Sequence, residues 1–97
     1  MASHLRVPLA STQGALPIRE ALVVTFLVDT QLRLVHFTAD FLDPDGERVV
    51  RIQGVAAGGD RVPLQGHFSK AGPGTLRLRG LTDQGVSGVT ELKVTVR

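Results

Sequence analysis

Three runs after residue 60 place an apolar side chain at every second position: Arg61-Val62-Pro63-Leu64-Gln65-Gly66-His67-Phe68, Thr75-Leu76-Arg77-Leu78-Arg79-Gly80-Leu81 and Glu91-Leu92-Lys93-Val94-Thr95-Val96. In a strand, successive side chains point to opposite faces. A period of two therefore gives each run one face for a core and one for water, and glycine-rich breaks separate the runs. Short strands at this spacing lead to an antiparallel sandwich or barrel.

With 97 residues the chain has room for one domain and no second, and it buries roughly 60 to 65% of its unfolded surface. We divide it into an extended N-terminal arm with a short edge strand, residues 1–20, and a sandwich over 21–97. Four Phe stand without any Trp or Tyr, so the core is built mainly from Val, Leu and Ala. No cysteine is present, which removes disulfides, thiolate nucleophiles and sulfur-ligated zinc, and leaves stability to packing and ladder hydrogen bonds. A net charge of +2 is too small to point to nucleic acid. No stretch approaches the roughly 18 apolar residues of a membrane span, and residues 1–20 lack the apolar run of a signal peptide. The chain reads either as a complete protein made in the cytosol, or as a module excised from a longer one with Met1-Ala2-Ser3-His4 as a scar.

Along the chain, His4 to Leu9 alternates, with Leu5, Val7 and Leu9 on one side and Pro8 restricting it to a sheet edge. Ser11 to Pro17 reads as a loop. Ala21 to Val28 is almost wholly apolar and predicts a central strand covered on both faces, by its own sheet partners and loops or by another subunit. In Gln31 to Leu42, Leu32 and Leu34 hold one phase while Val35, Phe37, Ala39 and Phe41 hold the other, which a bulge near Leu34-Val35 would reconcile. Asp43-Pro44-Asp45-Gly46 is a turn, with Pro preset for its second position and Gly free to take positive φ. Glu47 to Gly54 is the next strand, with Val50 and Ile52 inward, and Val55 to Asp60 a flexible connection. The total is about seven strands. Helix is disfavoured, because Val23, Val24, Thr25 and Phe26 in its best candidate segment suit a pleated surface.

From Val35 onward the order of features resembles bacterial immunoglobulin-like domains of the fibronectin, cadherin or polycystic-kidney-disease-repeat type. The residues that carry the resemblance are Phe37-Thr38-Ala39-Asp40-Phe41-Leu42-Asp43-Pro44-Asp45-Gly46, then Phe68 ahead of Gly72-Pro73-Gly74. They continue through Thr75 to Gly80, Leu81-Thr82-Asp83-Gln84-Gly85 and the closing Leu92-Lys93-Val94-Thr95-Val96. The resemblance covers about two thirds of the chain. It implies an all-β, antiparallel immunoglobulin-like sandwich of about seven strands, with the third, sixth and seventh sharing a sheet. It does not imply an activity, because domains of this type serve as spacers, adhesins, enzyme accessories and virion parts alike.

Asp40, Asp43, Asp45 and Glu47 crowd one turn, but calcium takes six to eight oxygens and no bidentate Glu lies at the spacing of a calcium loop, so a solvated turn is the reading. His4, His36 and His67 do not converge as a metal site requires; His67 is out of phase with Val62, Leu64 and Phe68 and faces solvent. No Gly-x-Ser-x-Gly occurs, and Gly58-Gly59 and Gly72-Pro73-Gly74 lead into strands rather than helices, which gives neither a nucleophile elbow nor a phosphate cradle. The chain therefore reads as noncatalytic, without cofactor or metal.

A basic face is the sharper candidate. If the third, sixth and seventh strands are sheet neighbours, then Arg33, Arg77, Arg79 and Lys93 project outward together, only partly offset by Glu91. Such a patch would hold an acidic protein, an anionic glycan or phosphates; the plainer reading is a solvated strand face whose charge protects it from edge aggregation. With no aromatic side chain in the patch to stack on bases, and no Trp or Tyr for sugar rings, nucleic acid and carbohydrate binding by ring stacking are disfavoured. The reading is a structural or protein-protein interaction module with a protein partner or self-association through Ala21 to Val28 and the N-terminal arm. Part of a larger assembly such as a bacteriophage head or tail is one setting. The alternative is an adhesive or accessory module of a secreted bacterial protein binding an anionic glycan or acidic partner.

Overall fold

A computed structural model describes the backbone of Leu5–Arg6 and the full residues 15–97. His4, Val7, Pro8, Leu9 and most of the Ser11 to Pro17 loop lie outside the described residues. Among the described residues seven strands follow one another: β1 (Leu5–Arg6), β2 (Leu22–Val28), β3 (Leu34–Leu42), β4 (Arg48–Ala57), β5 (Arg61–Gly66), β6 (Gly72–Thr82) and β7 (Ser87–Val96). No helix occurs among the described residues. The strands form two sheets, ordered β1-β2-β5 and β4-β3-β6-β7, and every neighbouring pair is antiparallel.

The two sheets pack face to face on the alternating residues. β2 turns Leu22, Val24, Phe26 and Val28 inward, β3 supplies Val35, Phe37, Ala39 and Phe41, and β6 and β7 add Leu76, Leu78, Val94 and Val96. Phe26 of the first sheet meets Phe37 of the second edge to face at 5.2 Å, and Phe41 meets Phe68 in the same manner at 5.6 Å. Three glycines make room for these rings. A Cβ at Gly54 would stand 2.8 Å from Phe37, one at Gly66 would stand 2.5 Å from Phe41, and one at Gly74 would stand 2.7 Å from Phe68. Three of the four aromatic rings thus each lie against a glycine, where a side chain would collide with the ring.

Several expectations are corrected. The phase conflict of Leu32 and Leu34 is not resolved by a bulge at Leu34-Val35. The strand simply starts at Leu34, after a turn in which the Asp29 carboxylate accepts from the Gln31 N–H at 2.8 Å and the Asp29 carbonyl accepts from the Leu32 N–H. The irregularity falls instead between Phe41 and Leu42, which pair with Val50 and Arg48, so that Val49 is the extra residue and β4 bends toward its turn. β4 runs through Val55 and Ala56 to Ala57, three residues beyond the expected end, because the β3 ladder continues to Leu34 and Ala57. Val23 and Leu27 of β2 are 55% and 41% exposed, so the described residues cover the strand on one face.

The segment before β2 is part of the core. Leu16, assigned above to a loop, is buried, and forms a parallel bridge to Val96; its N–H donates to the Thr95 carbonyl and its carbonyl accepts from Arg97. The bridge satisfies backbone groups along the outer edge of β7 that would otherwise offer a template for another strand.

Candidate binding surface

The turn at Asp43 to Glu47 is tied into the fold by its own chain. Gly46 takes φ 88°, and the buried Asp43 carboxylate accepts from the Ser69 and Lys70 N–H groups. The β3–β4 turn is thereby fastened to the connection between β5 and β6. Lys70 Nζ donates to Asp45 Oδ2 and, at 3.0 Å, to Glu47 Oε2. These contacts, Asp45 first, raise the ammonium above its usual range, while Lys70 lowers the Asp45 carboxyl. An internal ammonium thus occupies the acidic turn. Among the described residues no three His, Cys, Asp or Glu side chains converge as metal ligands.

The outer face of the four-stranded sheet has two unlike halves. In the half nearer the Asp43 turn, ladder register aligns Arg51, Asp40, Arg77 and Glu91 in one row across β4, β3, β6 and β7. Charge alternates along it. Asp40 is buried because two guanidiniums lie over it: Arg51 Nε reaches Oδ1 at 2.7 Å and Arg51 Nη2 reaches Oδ2 at 3.2 Å, while Arg79 Nη2 reaches Oδ2 at 3.1 Å. The Arg51 hydrogen bonds, aided by the charges of Arg51, Arg79 and Arg48, hold the Asp40 carboxyl below its ordinary value against the opposing effect of burial. Arg77 Nε donates to Glu91 Oε2 at 2.8 Å and lowers that carboxyl too.

The four residues expected to form a basic patch are therefore divided. Arg77, Arg79 and Lys93 do project outward from β6 and β7. Each is engaged, with Glu91, Asp40 and the Thr75 hydroxyl respectively, the last at 2.8 Å from Lys93 Nζ. Arg33 precedes β3 at the opposite end of the sheet and lines a groove of about 220 Å³ with Gln31, Leu32, Thr82, Asp83, Gln84 and Val86. Seven residues of β6 separate the level of Thr75, opposite Lys93, from that of Thr82, a span of about 23 Å.

Below that groove lies the apolar half of the face. Val55, His36, Leu81 and Ser87 form one row, Leu34 stands two residues beyond His36, and Val89 lies diagonal to Leu81. Leu34, Val55, Leu81 and Val89 are 43%, 55%, 48% and 58% exposed, and Val86 adds to them at the β6–β7 turn. Scattered exposed aliphatics are ordinary, but these occupy all four adjacent strands around a single histidine and continue into the groove. Sequence reading missed the cluster by placing Val55 in a loop and ending β6 at Leu81. Local counting does not find it: the irregularity at Val49 shifts the β3–β4 register by one before it reaches His36 and Val55, and Leu81 joins them only through the non-local pairing of β3 with β6. Comparison with known proteins finds no matching family, no similar curated protein and no similar solved structure.

Proposed function

We propose that this chain is an immunoglobulin-like β-sandwich that works as a noncatalytic protein-binding module, with the outer face of β4-β3-β6-β7 as its contact surface. Two features support the immunoglobulin-like reading. The third, sixth and seventh strands share a sheet, opposite one holding the first, second and fifth, and the segment before β2 leaves the first sheet to bridge in parallel with the last strand. The observation that carries the binding role is the cluster of Leu34, Val55, Leu81 and Val89, which exposes to water apolar surface that association would remove. Ion pairs beside it suit a polar rim, and loops converging on the groove at the same end add shape.

The reading is tested by immobilising the chain and comparing what it retains with what the Leu81→Glu, Val89→Glu and Val23→Glu variants retain. Loss with the first two and retention with the third, whose substitution lies on the other sheet, is expected. Equal capture by all three overturns the assignment of the surface.

A further inference from the structure

We infer that the free edge of β4 pairs with the same edge of a second copy of this chain, antiparallel and centred on Gln53, so that two four-stranded sheets join into one. This contact is separate from the outer face that carries the proposed binding role. β4 lies at the end of the order β4-β3-β6-β7, and β3 is its only hydrogen-bonded neighbour among the described residues. The direction of its backbone groups follows from the ladder. The Gly58 N–H donates to the Arg33 carbonyl at 3.4 Å, which places the hydrogen-bonded pairs of the two strands at Val35 with Ala56, Phe37 with Gly54 and Ala39 with Ile52. Arg51, Gln53, Val55 and Ala57 alternate with these and turn their N–H and C=O groups away from β3. At Ala57 the chain satisfies those groups itself: the N–H donates to the Asp60 carboxylate at 2.9 Å and the carbonyl accepts from the Asp60 N–H at 3.0 Å. Arg51, Gln53 and Val55, all exposed, present theirs at the open edge.

The edges of β5 and β7 are less open. Pro63 takes the middle of β5 and has no N–H to offer, while β7 has Leu16 bridged to Val96 and carries Glu91 and Lys93. From Ile52 to Ala57, β4 has neither charge nor proline. A two-fold axis through Gln53, perpendicular to the sheet, sets Gln53 opposite the second copy's Gln53 and Arg51 opposite its Val55. Every outward N–H and C=O of the three residues then finds a partner, because the set is symmetric about Gln53. Sliding the pairing by one step sets Val55 against Val49 at the irregularity, or Arg51 against Ala57, which Asp60 has already satisfied. On the core side Ile52 falls beside the second copy's Gly54 and Val50 beside its Ala56, pairs without charge. The antiparallel direction also brings the Arg48 end of one β4 to the Asp60 end of the other. The joined sheet stays within the usual limit of about ten strands.

Sedimentation equilibrium over a concentration series, with thermal melts alongside, tests the pairing. The short Arg51–Val55 segment buries less than the roughly 800 Å² per partner of ordinary stable complexes, so the parent chain should dimerise weakly and reversibly. Gln53→Pro removes the central N–H of the edge without touching the β3 ladder and should be monomeric. Gln53→Lys sets like charges face to face at the axis and should weaken the dimer at least about tenfold, with the melting midpoint nearly unchanged. The chain has no cysteine, so Gln53→Cys should oxidise to a disulfide-linked dimer, the paired Cα atoms standing about 5.5 Å apart, whereas Val55→Cys, about 14 Å from its copy, should not. A parent chain monomeric at every concentration, or a dimer that survives both Gln53→Pro and Gln53→Lys, overturns the edge pairing. Cross-linking through Val55→Cys and not through Gln53→Cys overturns the register. Leu81→Glu should leave the dimer intact; a dimer that it dissolves sits on the outer face, which refutes the edge pairing and upholds that face as the contact surface.

Discussion

Replacing Gly66 by Ala should destabilise this protein, although simple conformational reasoning predicts the reverse. Gly66 closes β5 with a backbone conformation open to any L-residue, since it is absent from the positive-φ glycines. At such a position the added methyl restricts the unfolded chain and stabilises by about 0.4 to 1 kcal/mol. Against that stands the ring of Phe41, whose Cδ1 and Cε1 would each lie 2.5 Å from the new Cβ and whose Cζ would lie 2.7 Å away. The ring has nowhere to go. Phe41 is completely buried and rests edge-on against Phe68, itself completely buried, and Phe68 is pressed against Gly74, where a Cβ would stand at 2.7 Å. Displacing one ring passes the strain to the next. Overpacking of this kind costs about 1 to 3 kcal/mol, so the net loss is about 1 to 2 kcal/mol, or roughly 5 to 15 °C in melting midpoint for a domain of this size.

Circular dichroism melts and urea titrations of Gly66→Ala, Phe41→Leu and the double variant complete a cycle. Phe41→Leu alone loses buried surface, but in the double variant the smaller side chain accommodates the new methyl, so the double should be more stable than the sum of the two single effects implies. A Gly66→Ala protein that melts at or above the parent, or a cycle without coupling, refutes the ring-against-glycine account.

Truncating Phe37 or Leu78 to Ala should cost about 2 to 5 kcal/mol each, since both are buried on adjacent central strands; midpoints that move by only a degree or two in thermal melts would contradict this. Asp40→Asn should lower stability at neutral pH by about 1 to 3 kcal/mol and flatten its acid dependence. The native carboxyl is held below its ordinary value, so its contribution is complete above about pH 4 and is lost as pH falls through the lower native value; an unchanged acid limb in urea titrations from pH 2 to 7 would refute it. Calcium should leave the melting midpoint where a chelator leaves it, because Lys70 already occupies Asp45 and Glu47; a clear rise with calcium would show that the ammonium is displaced. Heparin binding, if it uses Arg77, Arg79 and Lys93, should weaken with added salt and disappear on joint Arg77→Gln and Arg79→Gln substitution, neutral replacements that put no second carboxylate beside Asp40; salt-insensitive binding would exclude these residues.

Strand identity was legible from residue spacing because burial follows parity. Leu64, Phe68, Leu76, Leu78, Val94 and Val96 are all buried, as their alternation required. The Asp43 to Gly46 turn was equally plain from its own chemistry. Strand ends were less so, because a strand continues for as long as its neighbour offers a ladder. Nothing local in Val55-Ala56-Ala57 says that β3 extends as far as Leu34 to pair with it. Leu16 was hidden for a similar reason: a single buried residue with one parallel bridge carries no periodicity. The glycines beside Phe37, Phe41 and Phe68 read as loop or strand-weakening residues until the rings that pack on them are in place.

The surface was harder to read than the core, because its meaning lies in register rather than in residue type. Counting basic side chains suggested a positive patch, yet Asp40 lies buried beneath Arg79 and Arg51 and ties both down. Asp40 had been grouped with the turn acids Asp43, Asp45 and Glu47 by nearness in sequence. Parity distinguishes it from the inward Ala39 and Phe41, and the hairpin register carries it to Arg51. Eleven residues separate Asp40 from Arg51 and thirty-nine separate it from Arg79, so no window of local sequence contains the triad. The aliphatic cluster has the same origin, since Val55, Leu81 and Val89 each lie on the outward parity of a strand whose inward positions already supply the core. Leu34, Val55, Leu81, Val86 and Val89, two leucines and three valines, thus stand exposed where solvent would favour polar residues, and it is on them that the proposed contact surface rests.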